Sequence, residues 1–263
     1  MARADRRRFI KSTAALATLA ALRPPLSLTA GAHTTKTAIA FSMLPQKLTV
    51  FERFGLAAEA GFSGIEMRTV EDPLQAEQVL HASDRSGLPV HSVAHDPARR
   101  FPLSSRDADV VRQSVAGIEI SLRNARLWGA DAVSFTPASA GQNTSYQDAW
   151  NRSQKVIREQ VLPLSKDLGI VLVVEDVWDG FVLGPPEAAR YVDAFGSQWV
   201  KACFDTSRTV FYAHPHDWIR ALGSRLVKVR VRSIAETDVD WLEVRKALNE
   251  IAYDGWVTAE VVV

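Results

Sequence analysis

The run Gly169-Ile-Val-Leu-Val-Val-Glu175 constrains this chain most, because branched apolar residues follow one another without a polar break and then stop at a carboxylate. Such a run reads as a strand buried on both faces, the condition inside a parallel sheet covered by helices. Glu175 then stands at the carboxyl end of its strand, the edge on which α/β folds place their chemistry. A single Glu at a strand end is commonly just a solvated surface residue. Recurrence argues otherwise, since Val200-Lys-Ala-Cys-Phe-Asp205 and Gly255-Trp-Val-Thr-Ala-Glu260 repeat the pattern. As neighbours in one barrel, these acids share a mouth, where two like charges a few Å apart repel by roughly 4 kcal/mol at an effective dielectric of 20. A cation between them, or protonation, has to relieve that repulsion.

The rest of the chain supplies the same alternation. Short apolar segments at 37–41, 64–68, 88–95, 131–136 and 225–231 join the three above as strands. Helical spacing fills the intervals at 47–60, 73–86, 105–128, 145–168, 185–195, 218–222 and 240–252. Pro163 should bend the fourth of these, and Gly61, Gly87, Gly129 and Gly169 should close the first four. Eight strands alternating with seven helices predict a single (β/α)₈ TIM barrel over residues 37–263, without the last outer helix. That omission predicts an apolar stripe outside the first and last strands, covered by a partner subunit, as in a homodimer, or left by a truncated reading frame.

Composition narrows the function classes. A chain of 263 residues with 47% hydrophobic content can bury one sizeable core. Its net charge of +1 comes from interspersed acids and bases, with no footprint for nucleic acid. A lone cysteine, Cys203, falls inside a strand and reads as buried filler. Residues 1–32 read as a leader outside the fold. Arg3, Arg6, Arg7, Arg8 and Lys11 precede an Ala/Leu-rich run from Ser12 to Leu22, too short to span a bilayer. Arg6-Arg7-Arg8-Phe9-Ile10-Lys11 resembles a twin-arginine signal, which predicts a folded protein exported to the periplasm with no stable membrane span. A basic disordered tail is the alternative.

Further side chains face the predicted mouth: Glu66 from the second strand, His91 and His95 from the third, and Trp178 just beyond Glu175. Each also has a plain structural reading, Trp178 as a cap on the core and His95 as a hydrogen-bonding core residue. In order and spacing, Glu175-Asp-Val-Trp178, Cys203-Phe-Asp205, Asp217-Trp-Ile-Arg-Ala-Leu-Gly223 and Gly255-Trp-Val-Thr-Ala-Glu260 resemble the sugar phosphate isomerase/epimerase group of xylose isomerase-like barrels. His91-Ser92-Val93 and Pro102-Leu-Ser-Ser105 extend the resemblance. It implies a divalent ion (Mn, Mg, Co or Zn) held by Glu175, Asp205 and Glu260 together with a histidine from the seventh strand. It also implies Glu175 and Glu260 as the catalytic acid/base pair for proton transfer beside the carbonyl of a small sugar. Glu66, His95, Trp178 and Arg230 would contact that substrate.

One position departs from the family pattern. Where a His-x-Lys-Asp run is expected, this chain has Arg230-Val-Arg232-Ser233. Arginine offers no lone pair and cannot ligate a metal. Either the ion survives on three carboxylates, with His95, His214 or His216 swung in, or the guanidinium of Arg230 replaces it in an exported sugar-binding barrel. A barrel nuclease, the remaining relative, would need more strand-end histidines and a basic groove, and neither is present.

Overall fold

The computed structural model describes residues 36–95, 101–140, 144–175, 181–182, 184–206, 213–232 and 239–260. The leader expected at 1–32 and Trp178 lie outside these residues.

Strands β1 (Lys36–Ala40), β2 (Gly64–Arg68), β3 (Val90–His95), β4 (Ala132–Phe135), β5 (Val171–Val174), β6 (Val200–Asp205), β7 (Leu226–Val231) and β8 (Trp256–Ala259) pair in parallel in sequence order. β8 pairs with β1 and closes the ring. The intervals hold α1 (Val50–Glu59), α2 (Pro73–Ser86), α3 (Ala108–Trp128), α4 (Tyr146–Val156) with α5 (Leu162–Leu168), α6 (Pro185–Asp193), α7 (Pro215–Leu222) and α8 (Trp241–Glu250). The fold is the single (β/α)₈ barrel that the alternation predicts. No described helix is long and apolar enough to cross a membrane.

Local chemistry explains the boundaries. Thr49 and Glu52 form a capping box at the start of α1. Asp107 accepts from the Asp109 amide to open α3, and Gly129 closes it at φ 72°. The bend expected near Pro163 is a π turn over Ile157–Val161, where the Leu162 amide reaches back to the Ile157 carbonyl. Pro163 has no N–H to continue the α pattern, and widening the preceding turn accommodates it.

Alternation along the strands separates two environments. Outward residues such as Ile65, Val93, Phe135, Leu172, Phe204 and Val229 are buried against the helices in one continuous core. Many inward positions carry small or polar side chains, among them Ala38 and Ala40, Ser92 and Ala94, Ser134, Cys203 and Thr258. The small inward residues leave space inside the ring for long charged side chains.

The seam between β8 and β1 corrects one expectation. Its outward residues are Thr37, Ile39, Val257 and Ala259, of which Ile39 and Ala259 are buried and belong to the core or its buried surroundings. Two short strands present too few side chains there to make a broad apolar stripe, and Thr37 and Val257 are only half-buried.

Candidate functional site

Every inward position of the upper part of β7 is basic. Lys228, Arg230 and, one step beyond the strand end, Arg232 follow one another at alternate residues, a rise of about 6.6 Å per pair of residues. Each meets a carboxylate from another strand. Arg230 Nη2 lies 2.7 Å from Glu175 Oε1 and 3.1 Å from Glu66 Oε1. Its Nε lies 3.5 Å from Glu260 Oε2. Above it, Arg232 Nε donates to Asp205 Oδ2 at 3.0 Å, and its Nη2 stands 3.3 Å from Glu260 Oε2. Below it, Lys228 Nζ contacts Glu66 Oε2 and approaches Ser134 Oγ at 3.3 Å.

These groups are deeply placed. Lys228, Arg230, Glu66 and Asp205 are each at most 5% exposed. Burial works against the charge on Arg230, but Glu175 and Glu260 outweigh it and hold the guanidinium protonated well above the usual arginine range. Burial, reinforced by the neighbouring Arg230, pushes Lys228 well below the usual lysine range. Glu66 is the hub between the two bases, and it also accepts from Ser92 Oγ at 2.9 Å.

An aromatic plug forms the floor of the ring. The Trp256 indole stacks on His91 at 4.5 Å between centroids and covers Gly64, where an added Cβ would lie 2.8 Å from the ring. Thr258 Oγ1 lies 3.2 Å from His91 Nε2. Burial, helped by Arg230, lowers the His91 pKa to about 3, so this ring is neutral at ordinary pH.

Above the cluster opens a cavity of about 380 Å³, bordered by Ala40, Glu66, Arg68, Glu175, Arg230 and Glu260 among others. That falls in the range of small-molecule sites. Two atoms in its wall, Arg230 Nε and Glu260 Oε2, are buried without a hydrogen-bond partner. Their 3.5 Å approach is an ion pair without hydrogen-bond alignment.

The structure brings Glu66, Glu175, Asp205, Glu260 and Arg230 into one cluster. His95 borders the cavity too, but its imidazole is engaged from the helix side. Nδ1 lies 3.2 Å from Ser121 Oγ and 3.4 Å from Thr69 Oγ1. Ser121 also donates to the Gly117 carbonyl, and His95 Nε2 is buried without a hydrogen-bond partner. Burial lowers the His95 pKa to about 4, with Glu175 opposing. His214 and His216 stack on each other at 5.3 Å at the start of α7, outside the cavity lining.

The donor set does not fit a divalent ion. Among the described residues, no group of three or more His, Cys, Asp or Glu side chains is placed to hold one. Each carboxylate of the cluster already faces a basic side chain, and the seventh-strand position that would supply a neutral nitrogen supplies a guanidinium. Sequence reasoning found Arg230 but missed Lys228 and Arg232 as its companions. The alternation of Lys228, Arg230 and Arg232 in one strand was the available signal, since three bases on one face of a buried strand demand acids opposite.

Solved structures with this fold include D-psicose 3-epimerase with D-tagatose from Clostridium cellulolyticum H10, at TM-score 0.76 and 19% identity, covering 86% of this chain and 84% of that one. The apo form of 3-keto-D-glucoside 4-epimerase from E. coli superposes at 0.75 with 16% identity, covering 86% and 91%. An AP endonuclease, family 2, from Brucella melitensis superposes at 0.71 with 19% identity, covering 87% and 93%. At these identities the likeness is one of fold. No curated protein matches the chain in sequence. The family model described as xylose isomerase-like TIM barrel matches residues 54–262, and the chain belongs to that family.

Proposed function

We propose that the barrel mouth binds a small sugar or oxidised sugar derivative and moves a proton at the carbon beside its carbonyl, as an isomerase or epimerase does. The observation that carries this reading is a polar cavity of about 380 Å³ in whose wall Glu66, Glu175 and Glu260 surround the Arg230 guanidinium. The carboxylates accept and the guanidinium donates, and a sugar hydroxyl can do both.

Glu175 and Glu260 reach the same guanidinium from β5 and β8. In this reading one carboxylate takes the C–H proton, the carbonyl oxygen gains the charge, and a proton is returned by that same carboxylate or by the other after it has drawn one from water. Arg230 and Arg232 supply fixed positive charge where the oxygen becomes anionic. The names of structural neighbours, among them D-psicose 3-epimerase and L-ribulose 3-epimerase, support a sugar as the substrate class. The twin-arginine-type leader expected at 1–32 supports export and, with it, an unphosphorylated sugar.

A second reading, an exported sugar binder without turnover, is favoured by the 2.7 Å contact of Glu175 with Arg230. A carboxylate so paired is a weakened base. Exchange of C–H protons in D₂O, followed by NMR across a panel of ketoses and aldoses, separates the two. Exchange beside the carbonyl that vanishes in Glu260→Gln supports the enzyme. Saturable binding without exchange supports the binder, and neither binding nor exchange overturns both.

A further inference from the structure

We propose that β7 supplies the site with its own resident cation, so that this barrel excludes divalent metal ions. The proposal rests on the geometry of Lys228, Arg230 and Arg232 against Glu66, Glu175, Asp205 and Glu260, and not on the catalytic reading.

Three features exclude the ion. Its place is filled: Arg230, 5% exposed, spans from Glu66 and Glu175 on one side to Glu260 on the other. A metal could reach those oxygens only by expelling a buried guanidinium from its ion pairs, and breaking such a pair leaves uncompensated charge. The acids are already partnered, since each of Glu66, Glu175, Asp205 and Glu260 faces at least one basic side chain and offers an incoming ion no unopposed carboxylate. The guanidinium is also held from below and above. Lys228 fixes Glu66, which Arg230 shares, and Arg232 fixes Glu260 and Asp205. Removing Arg230 alone would leave carboxylates from β2, β5 and β8 facing an empty centre.

The test uses metal alone and needs no substrate. Mn²⁺ titrated into the folded chain and followed by the electron paramagnetic resonance signal of the free ion should show no saturable binding below about 1 mM. Zn²⁺ and Co²⁺ followed by calorimetry should behave alike, and the melting temperature should not move with any of them. Arg230→His should gain at least about 100-fold in Mn²⁺ affinity and melt higher with the ion present. Arg230→Ala, which adds no ligand, should gain less. Stoichiometric metal on the unaltered chain overturns the proposal whether or not the variants fold, and so does a folded Arg230→His with no gain. Because neither readout involves a sugar, failure here leaves the proton-exchange experiment standing, and the reverse holds too.

Discussion

Arg230 Nη2 stands 2.7 Å from Glu175 Oε1, a bond that runs from β7 past β6 to β5 inside the ring. Its position makes the guanidinium a structural tie as well as a candidate ligand contact. Replacing Arg230 with Leu should therefore destabilise the fold by roughly 3–5 kcal/mol at pH 7, because Glu66, Glu175 and Glu260 lose their common partner. The deficit should shrink as the solution is acidified towards pH 4.5, where the unpaired carboxylates take up protons. Urea unfolding of both proteins at the two pH values checks this.

His91 should leave its mark on acid stability. Its folded pKa of about 3 lies below its ordinary value of 6.5, so its stabilisation is fully present above pH 6.5 and is lost as pH falls towards 3. One such group changes stability by up to about 1.4 kcal/mol per pH unit in that window. His91→Phe keeps a ring against Trp256 and removes the titration. Its urea midpoints between pH 6.5 and 4 should fall less steeply than those of the unaltered chain. His95, lowered to about 4, retains part of the slope.

Two helix glycines should respond to alanine with opposite signs. A Cβ on Gly117 would lie 2.5 Å from Cε1 of His95, a ring held in place by Ser121 and Thr69. Gly117→Ala should cost roughly 1–3 kcal/mol through overpacking. Gly55, in α1, has nothing within 4 Å of its built Cβ. Gly55→Ala should stabilise by roughly 0.4–1 kcal/mol. Thermal melts of the two variants decide.

Glu260→Gln preserves size and removes the charge facing both Arg230 and Arg232. If the proton-transfer reading holds, C–H exchange should fall by roughly 10²–10⁴-fold, while the circular dichroism spectrum stays unchanged. Loss of exchange together with loss of the spectrum would assign Glu260 a folding role instead.

The barrel was legible in the sequence because buried strands announce themselves. The run ending at Glu175 is apolar on both faces, those ending at Asp205 and Glu260 are broken only at Lys201 and Thr258, and Gly87, Gly129 and Gly169 mark the helix ends at positive φ. The gathering of the acids followed from ring closure alone. The pairing inside the ring was less legible. Arg232 falls after the last residue of β7, and which acid it meets depends on the offset between β6 and β7, where the register shifts between Ala202 and Cys203. His95 was hard to place for a related reason. It ends β3 on the parity that faces α3, so its ring meets Ser121 and Gly117 although its residue borders the cavity. Nothing in the alternation of polar and apolar residues around it separates those two placements.

The Trp256 plug has a kinetic consequence. With the indole stacked on His91 and seated over Gly64, the tube is a blind alley, and whatever enters above Arg230 must leave by the doorway it came through. If the proton-transfer reading holds, arriving and departing molecules share one passage, and accumulated product should slow further entry.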